Sequence, residues 1–128
     1  MNKLIIDVVG EKIFLMIITS SNIYNITYEN TKINYEKLTK LINDFLISYN
    51  LKISDISTIY VNKGPGSFAG IRNSLSTVKA FNVAKKIDYY CYSLDDFEGE
   101  IDVRYENIPD LCKKYNIKKN LINPVYIS

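Results

Sequence analysis

The sequence contains no histidine and only two cysteines, Cys91 and Cys112, among its 128 residues. Histidine is the usual base of a nucleophilic triad and a common zinc ligand, so its absence excludes a histidine-based triad and a histidine-ligated zinc site. Cys91 falls within a short aromatic run, and neither thiol has a histidine to activate it. The pattern therefore predicts two reduced cysteines in the core and no cofactor.

Long apolar runs are also missing. Asp7, Gly10, Glu11 and Lys12 interrupt the first apolar segment, and no stretch reaches the roughly 18 uncharged apolar residues that a membrane span needs. We therefore expect no secretory leader, no membrane segment and a cytoplasmic location. The net charge of +2 is too small to indicate direct nucleic-acid binding.

The N-terminal third predicts a three-stranded antiparallel meander. Apolar runs at residues 3–9 and 12–19 flank Gly10-Glu11, a dipeptide suited to a two-residue hairpin turn. A third run, at residues 22–28, alternates in the manner of a half-exposed edge strand. The 47% hydrophobic content is enough for one core.

Two helices and two further strands are predicted downstream. Asn34 is expected to cap a helix whose apolar stripe is Leu38, Leu41, Ile42, Phe45, Leu46 and Tyr49. A strand at residues 56–61, a helix from Ile71 to Ala84 and a strand at residues 88–92 follow, and the order is βββαβαβ. This order is that of an α/β, ribonuclease H-like or actin-like (ASKHA) half-domain with a mixed sheet of about five strands.

A last helix is predicted at residues 109–116, with proline in its first turn. An acidic stretch precedes it, formed by Asp95, Asp96, Glu98, Glu100 and Asp102. We therefore divide the chain into an N-terminal lobe, residues 1–94, and a segment of acidic linker, short helix and tail, residues 95–128.

Three of the five glycines lie in residues 62–72, between a predicted strand and a predicted helix. Gly64 and Gly66 permit backbone angles closed to other residues, Pro65 fixes one dihedral, and Ser67 is a candidate helix cap. Such a loop can direct backbone N–H groups at an anion such as phosphate. It can equally be a tight connection that binds nothing, and both alternatives stay open.

The run from Gly64 to Arg72 resembles the signature G-P-G-S-F-T-G-[LIV]-R of the TsaB (YeaZ) family, with Ala69 in place of the threonine. The signature-loop residues are Gly64, Pro65, Gly66, Ser67, Phe68, Ala69, Gly70 and Arg72. Residues 4–7 resemble the family's opening strand, and residues 123–127 resemble its closing P-x-Y-L motif. Family members have a second lobe that has no counterpart here, so the resemblance predicts a shortened member.

The resemblance implies a non-catalytic accessory subunit for the formation of N6-threonylcarbamoyladenosine beside the anticodon of tRNA. Its partners would be the catalytic paralogue TsaD, which carries metal-binding histidines, and the ATPase subunit TsaE, with tRNA contacted only indirectly. First lobes in this family meet by packing their helices into a shared bundle, and a homodimer through the same surface is an alternative. Arg72 is expected to anchor the loop or an acidic group at the interface.

The resemblance places the partner interface on the two helices of the first lobe. Its predicted residues are Leu75, Lys79, Ala80, Val83, Ala84, Lys37 and Lys40. Ala80 and Ala84 lie one turn apart and would let a neighbouring backbone approach closely. The alternative is that these alanines face the protein's own sheet.

Two enzyme-like hypotheses compete with the accessory role. In a ribonuclease H-like nuclease, Asp7 and Glu36 would hold divalent metals, although Asn62 stands where a third acid is expected. The run from Gly64 to Ala69 also fits a G-x-G-x-x-[GA] dinucleotide fingerprint, with Asp88 at a suitable distance along the chain.

Overall fold

The computed structural model describes residues 1–122 and shows a mixed five-stranded sheet. The strands are β1 (Asn2–Asp7), β2 (Lys12–Ile18), β3 (Ile23–Glu29), β4 (Ile56–Asn62) and β5 (Asp88–Tyr92). Their order across the sheet is β3-β2-β1-β4-β5. Strands β1 to β3 form an antiparallel meander, and β4 and β5 run parallel to β1. The predicted α/β architecture is confirmed.

Among the described residues, four α-helices accompany the sheet. They are α1 (Lys32–Tyr35), α2 (Leu38–Ile47), α3 (Phe68–Lys85) and α4 (Ile108–Lys114). Single turns of 3-10 helix lie at Ile53–Asp55, Leu94–Phe97 and Tyr105–Asn107. Within residues 1–122, none of the helices has the length and apolar character that crossing a membrane requires.

Helices α2 and α3 cover one face of the sheet. Their buried side chains meet aliphatic side chains of β1, β2 and β4 in a continuous core. Fully buried members include Leu4, Ile6, Leu15, Ile17, Ile42, Leu46, Ile59 and Ile71. Each buried aliphatic side chain stabilises the fold by about 1.5–3 kcal/mol, so this layer fixes the position of α3.

The other face of the sheet is covered by residues from the 94–117 segment. Phe97, Ile108 and Leu111 of this segment are buried against Ile5 of β1 and Tyr92 of β5. The division of the chain at residues 94 and 95 stays a prediction, but this segment shares a core with the sheet. The two cysteines are core residues, and burial raises the pKa of each thiol to about 12.

The helix after β3 differs from its prediction. Two helices stand where one was expected, because the backbone at Lys37 leaves helical geometry between α1 and α2. Thr31, not Asn34, caps α1: its hydroxyl accepts the Asn34 N–H at 3.4 Å, while the Asn34 side chain donates to the Glu29 carbonyl at 2.8 Å. Tyr49 lies beyond the end of α2 and stacks on the ring of Tyr24, at 3.9 Å between centroids.

The first hairpin connection is also longer than predicted. Four residues, 8–11, separate β1 from β2, so the expected two-residue turn at Gly10-Glu11 is wrong. The connection is longer because Val8 is fully buried in the core and the side chain of Asn30 binds the backbone of the turn. The Asn30 side chain donates to the Val8 carbonyl at 2.9 Å and to the Gly10 carbonyl at 2.7 Å.

Candidate functional site

Two of the signature glycines are required by close packing against the β1–β2 turn. A side-chain carbon at Gly66 would lie 2.8 Å from the Val9 Cγ1 atom and 3.0 Å from the Val9 carbonyl oxygen. A side-chain carbon at Gly70 would lie 3.1 Å from the Val8 carbonyl oxygen and 3.2 Å from the Val8 Cγ1 atom. These distances are shorter than ordinary van der Waals contacts. The two glycines therefore bring the start of α3 onto the turn.

The first residue of the loop is tied to the carboxyl ends of β4 and β1. Gly64 has a φ of 114°, which favours glycine, and its N–H donates to the Asn62 Oδ1 atom at 2.9 Å. The Asn62 Nδ2 atom donates in turn to the Asp7 Oδ2 atom at 3.1 Å. Asn62 thus links the loop to the carboxylate at the end of β1.

Asp7 is nearly buried, with 8% of its surface exposed. Its Oδ1 atom accepts the Val9 N–H at 3.0 Å, and its Oδ2 atom also accepts the Tyr105 hydroxyl at 2.8 Å. Burial, and next the charge of Asp7, raise the pKa of Tyr105 well above its usual range, so the hydroxyl stays protonated as a donor. Asp7 is therefore a structural acceptor that holds the loop, the turn and the 94–117 segment together.

This arrangement does not favour the nuclease hypothesis. Both Asp7 oxygens accept hydrogen bonds from the protein, and Glu36 is an exposed residue after α1. Within residues 1–122 there is no group of three or more histidine, cysteine, aspartate or glutamate residues that could hold a metal ion.

The dinucleotide hypothesis is not favoured either. Asp88 is the proposed ribose-binding acid of this hypothesis. Its Oδ1 atom accepts a hydrogen bond from the Asn120 Nδ2 atom at 3.0 Å, and its Oδ2 atom lies 3.6 Å from the Lys119 Nζ atom. Gly66, the second glycine of the fingerprint, would have to admit a pyrophosphate, but it faces Val9 of the Val8-Val9 turn instead. The fingerprint is therefore satisfied by internal packing.

Ser67 and Arg72 are exposed at the start of α3. Ser67 occupies the cap position as predicted, but its side chain makes no capping hydrogen bond within the described residues. The Arg72 guanidinium lies over the Phe68 ring, 5.8 Å from its centroid. This contact lies within α3, so the predicted anchoring of the loop or of an interface acidic group by Arg72 stays a prediction.

The outward face of α3 consists of the exposed residues Ser76, Lys79, Ala80, Val83 and Ala84. The alternative that the two alanines face the protein's own sheet is wrong, since both are exposed. Val83 is 70% exposed, whereas the predicted interface residue Leu75 is buried, with only 4% of its surface exposed. Small and apolar side chains are therefore presented to solvent along two turns of the helix.

The outward face of α3 borders two grooves. One has a volume of ≈530 Å³ and is lined by Arg72, Leu75, Ser76, Lys79, Ala80, Val83 and Ile122; we call it the α3 groove. The other, of ≈610 Å³, lies between α1 and α3 and is lined by Lys32, Tyr35, Glu36, Phe68, Ala69, Arg72, Asn73 and Ser76. Arg72 and Ser76 line both grooves, so the surface is continuous from α1 to the far end of α3.

The predicted interface residues on the first helix do not line either groove. Lys37 and Lys40 are both exposed at the start of α2, and Lys40 is paired with Asp44 at 2.7 Å. Neither lysine lines either groove. Lys32 and Tyr35 of α1 line the groove between α1 and α3 instead. The sequence prediction missed them because it did not separate α1 from α2.

Tyr105 and Ile122 were also missed. Tyr105 is 98 residues from Asp7 along the chain, and nothing in its polar surroundings in the sequence indicates that contact. Ile122 lies directly before the P-x-Y-L-like run, which lies outside the described residues.

Comparison with protein families gives a match over the middle of the chain. The model described as "TsaD: tRNA N6-adenosine threonylcarbamoyltransferase" matches residues 30–99, which include the whole of α2, β4, the loop, α3 and β5. The match therefore covers more than half of the chain. No curated protein sequence matches it.

Solved structures support the same fold. YeaZ from Pseudomonas aeruginosa superposes with a TM-score of 0.66 at 18% identity, over 72% of this chain and 43% of that one. RuvC from Thermus thermophilus, in complex with a Holliday junction substrate, gives a TM-score of 0.52 at 10% identity, over 92% of this chain and 80% of that one. The chain thus spans less than half the length of YeaZ, and both likenesses show the ribonuclease H-like fold.

Proposed function

Because the chain belongs to the tRNA N6-adenosine threonylcarbamoyltransferase family, we propose that it is a non-catalytic accessory subunit in the formation of N6-threonylcarbamoyladenosine in tRNA. Its partner would be the catalytic member of the family, TsaD, with the ATPase subunit TsaE completing the assembly in the cytoplasm. Transfer RNA would be contacted through the partner. The match to YeaZ, the family resembled by the Gly64–Arg72 run, supports the accessory assignment.

The observation that carries this proposal is the exposed, uncharged centre of the outward face of α3. Ala80, Val83 and Ala84 lie on the exposed side of α3, and the opposite side of this helix is buried against the sheet. Burial of a side chain such as Val83 against a partner would contribute about 1.5–3 kcal/mol. The small side chains at Ala80 and Ala84 permit a close helix-to-helix approach.

The rim of this face indicates the chemistry of the partner. Arg72 and Lys79 border the α3 groove, and both are exposed. A partner helix with an apolar stripe and carboxylates on its flanks would complement this surface. The first lobe, residues 1–94, would supply this contact.

The loop contributes to this function by positioning α3. Gly66 and Gly70 set the helix against the Val8-Val9 turn, and Asn62 fixes the first residue of the loop. In this account the signature residues place the docking helix and do not bind a phosphate. The 128 residues contain no histidine, which agrees with a role that leaves metal-assisted chemistry to the partner.

Co-expression with the catalytic relative from the same genome tests the proposal. We expect a stoichiometric complex by size-exclusion chromatography with light scattering, and tRNA modification that depends on it. Ala80→Arg places a long, charged side chain in the centre of the docking face while retaining helix propensity, so it should abolish the complex without unfolding the chain.

The matched control is Ile101→Arg, which adds the same side chain at a fully exposed position in the 94–117 segment. This variant should bind like the wild type. If Ala80→Arg folds and still forms the complex, the docking face is wrongly placed. A stable homodimer that Ala80→Arg disrupts, with no binding to the catalytic relative, would replace the proposed partner by a second copy.

A further inference from the structure

A cavity lies between α4 and the sheet, on the sheet face opposite α2 and α3. It has a volume of ≈470 Å³, and side chains of β1, β4, β5 and α4 form its walls. Tyr60 of β4 is the neighbour of Tyr90 on β5, and their rings stack at 5.4 Å between centroids. Two stacked tyrosines and one helix therefore border this space, which we call the α4 cavity.

The Tyr60 hydroxyl is a hydrogen-bond donor that the fold does not use. Tyr60 lines the α4 cavity and is only 7% exposed, and no hydrogen-bond partner for its hydroxyl lies within residues 1–122. Burial raises the pKa of Tyr60 to about 12, so the hydroxyl stays protonated at neutral pH. Because a buried polar group without a partner is costly, a hydroxyl in this position favours a ligand that brings an acceptor oxygen.

The ionic groups around the cavity carry a net positive charge. Lys3 lies two residues before Ile5, the register partner of Tyr60, so its side chain emerges on the same face of the sheet. Lys3 and Lys113 both line the cavity, and neither has an ion pair within the described part of the chain. Among the described lining residues the single acid is Asp110. Two ammonium groups around one carboxylate favour an anion, and lysine commonly binds phosphate.

The cavity is larger than a phosphate ion needs. Its volume falls within the range of about 300–1,000 Å³ that is typical of small-molecule sites. The half-buried ring of Tyr90 offers an aromatic surface to a planar group. Asp110 and Asn116 offer a carboxylate and an amide to the hydroxyl groups of a sugar. A ligand that consists of a phosphate, a sugar and a planar ring would use all of these groups.

We propose that the α4 cavity binds the phosphate monoester of a nucleoside, with its phosphate held by Lys3, Lys113 and the Tyr60 hydroxyl. The source is either a free mononucleotide or the phosphorylated end of an RNA chain, because the two present the same chemistry. None of the described lining residues belongs to α3, so the site is separate from the proposed docking face. The inference goes beyond the accessory role and does not depend on it.

Isothermal titration calorimetry with uridine 5′-monophosphate (UMP) tests the site on the full chain without any partner. The wild type should bind UMP. Lys3→Gln and Tyr60→Phe should each raise the Kd about tenfold or more, the change expected when a hydrogen bond to a charged group is lost. Both variants should fold, because glutamine retains a long polar side chain and phenylalanine retains the ring that stacks on Tyr90.

The matched controls lie away from the cavity. Lys85→Gln removes an exposed lysine from the last turn of α3, and Tyr49→Phe removes a hydroxyl from the ring that stacks on Tyr24. Neither residue lines the cavity, so both variants should bind UMP like the wild type. An equal loss of binding in Lys85→Gln would show attraction to positive charge in general and would overturn the site.

Three further probes separate the parts of the ligand. Uridine and inorganic phosphate should each bind more weakly than UMP, and a Kd equal to that of UMP for either one would overturn the proposed ligand. An RNA oligomer with a 5′-phosphate that binds more tightly than UMP, and depends equally on Tyr60, would identify RNA as the source. Weaker binding of the oligomer would identify the free nucleotide. If the folded wild type binds none of the four probes, the proposal is overturned.

Discussion

The signature loop and the outward face of α3 are adjacent in the sequence but use their residues in opposite ways. Gly64, Gly66 and Gly70 have explanations inside the protein: a positive φ or a close approach to the Val8-Val9 turn. Ala80 and Val83 have no such explanation, because they are exposed on a helix that is already anchored. The unusual residues of the motif therefore position α3, whereas ordinary residues downstream form the proposed docking face.

Gly66→Ala should produce the largest effect on stability. The added carbon would lie 2.8 Å from the Val9 Cγ1 atom and 3.0 Å from the Val9 carbonyl oxygen, so the loop or the turn must move. Overpacking typically costs about 1–3 kcal/mol of unfolding free energy, and the close backbone oxygen of Val9 puts Gly66→Ala at or above the upper end of that range. Urea denaturation followed by circular dichroism measures it.

Gly10→Ala is the control, because a side-chain carbon there meets no described atom within 4 Å. Its unfolding free energy should stay within about 0.5 kcal/mol of the wild type. Equal stability of Gly66→Ala and the wild type would show that the loop glycines are not needed for packing, and the anion-binding alternative would regain support.

Tyr105→Phe should have the next largest effect. The variant removes only the hydroxyl that donates to the Asp7 Oδ2 atom at 2.8 Å, and a hydrogen bond to a charged group contributes about 1.5–3 kcal/mol. Tyr49→Phe is the control, since Tyr49 contacts Tyr24 through its ring. Thermal denaturation compares the two. If Tyr105→Phe is as stable as Tyr49→Phe, Asp7 does not hold the 94–117 segment in the way described.

Val83→Ser should weaken partner binding without changing the stability of the fold. Val83 is 70% exposed, and serine and valine have similar helix propensities, so the unfolding free energy should change by less than about 0.5 kcal/mol. The Kd for the catalytic relative, measured by isothermal titration calorimetry, should nevertheless rise about tenfold, as expected for about 1.4 kcal/mol of lost apolar contact. A loss of stability without a loss of affinity would place Val83 in the fold and not in the interface.

The reactivity of the buried thiols should distinguish variants that destabilise the fold from variants that weaken only partner binding. Burial raises the pKa of Cys91 and Cys112 to about 12, so the reactive thiolate is scarce at neutral pH while the protein is folded. Both thiols should react with a disulfide reagent only through opening of the fold. The reaction should be faster in Gly66→Ala and unchanged in Val83→Ser. Fast reaction of the wild type would contradict the burial of these cysteines.

Much of the fold was predictable because the spacing of apolar residues along the sequence indicates its helices and strands. Strand β5 at Asp88–Tyr92 agrees with its predicted limits, and the stripe from Leu38 to Leu46 identified α2 by its three- and four-residue steps. The signature run placed a turn between β4 and α3, and both elements are present around it. These features depend on interactions between neighbours in the sequence.

The contacts of the site were less predictable, because they join distant residues. The turn-to-loop contact of Val9 with Gly66 and the bond from Tyr105 to Asp7 depend on the assembled sheet. The break between α1 and α2 was missed since Thr31 and Asn34 are both good cap residues, and only the backbone decides between them. The exposure of Ala80 was left open because alanine is accepted equally in a core and on a surface.

The most direct test of the central claim is amide hydrogen exchange, measured by mass spectrometry on the chain alone and in the presence of excess catalytic relative. The account predicts that the partner slows exchange in α3, especially around Ala80 and Val83, and leaves the 94–117 segment unchanged. Protection confined to the 94–117 segment, or no protection in α3 under conditions where a complex forms, would contradict it.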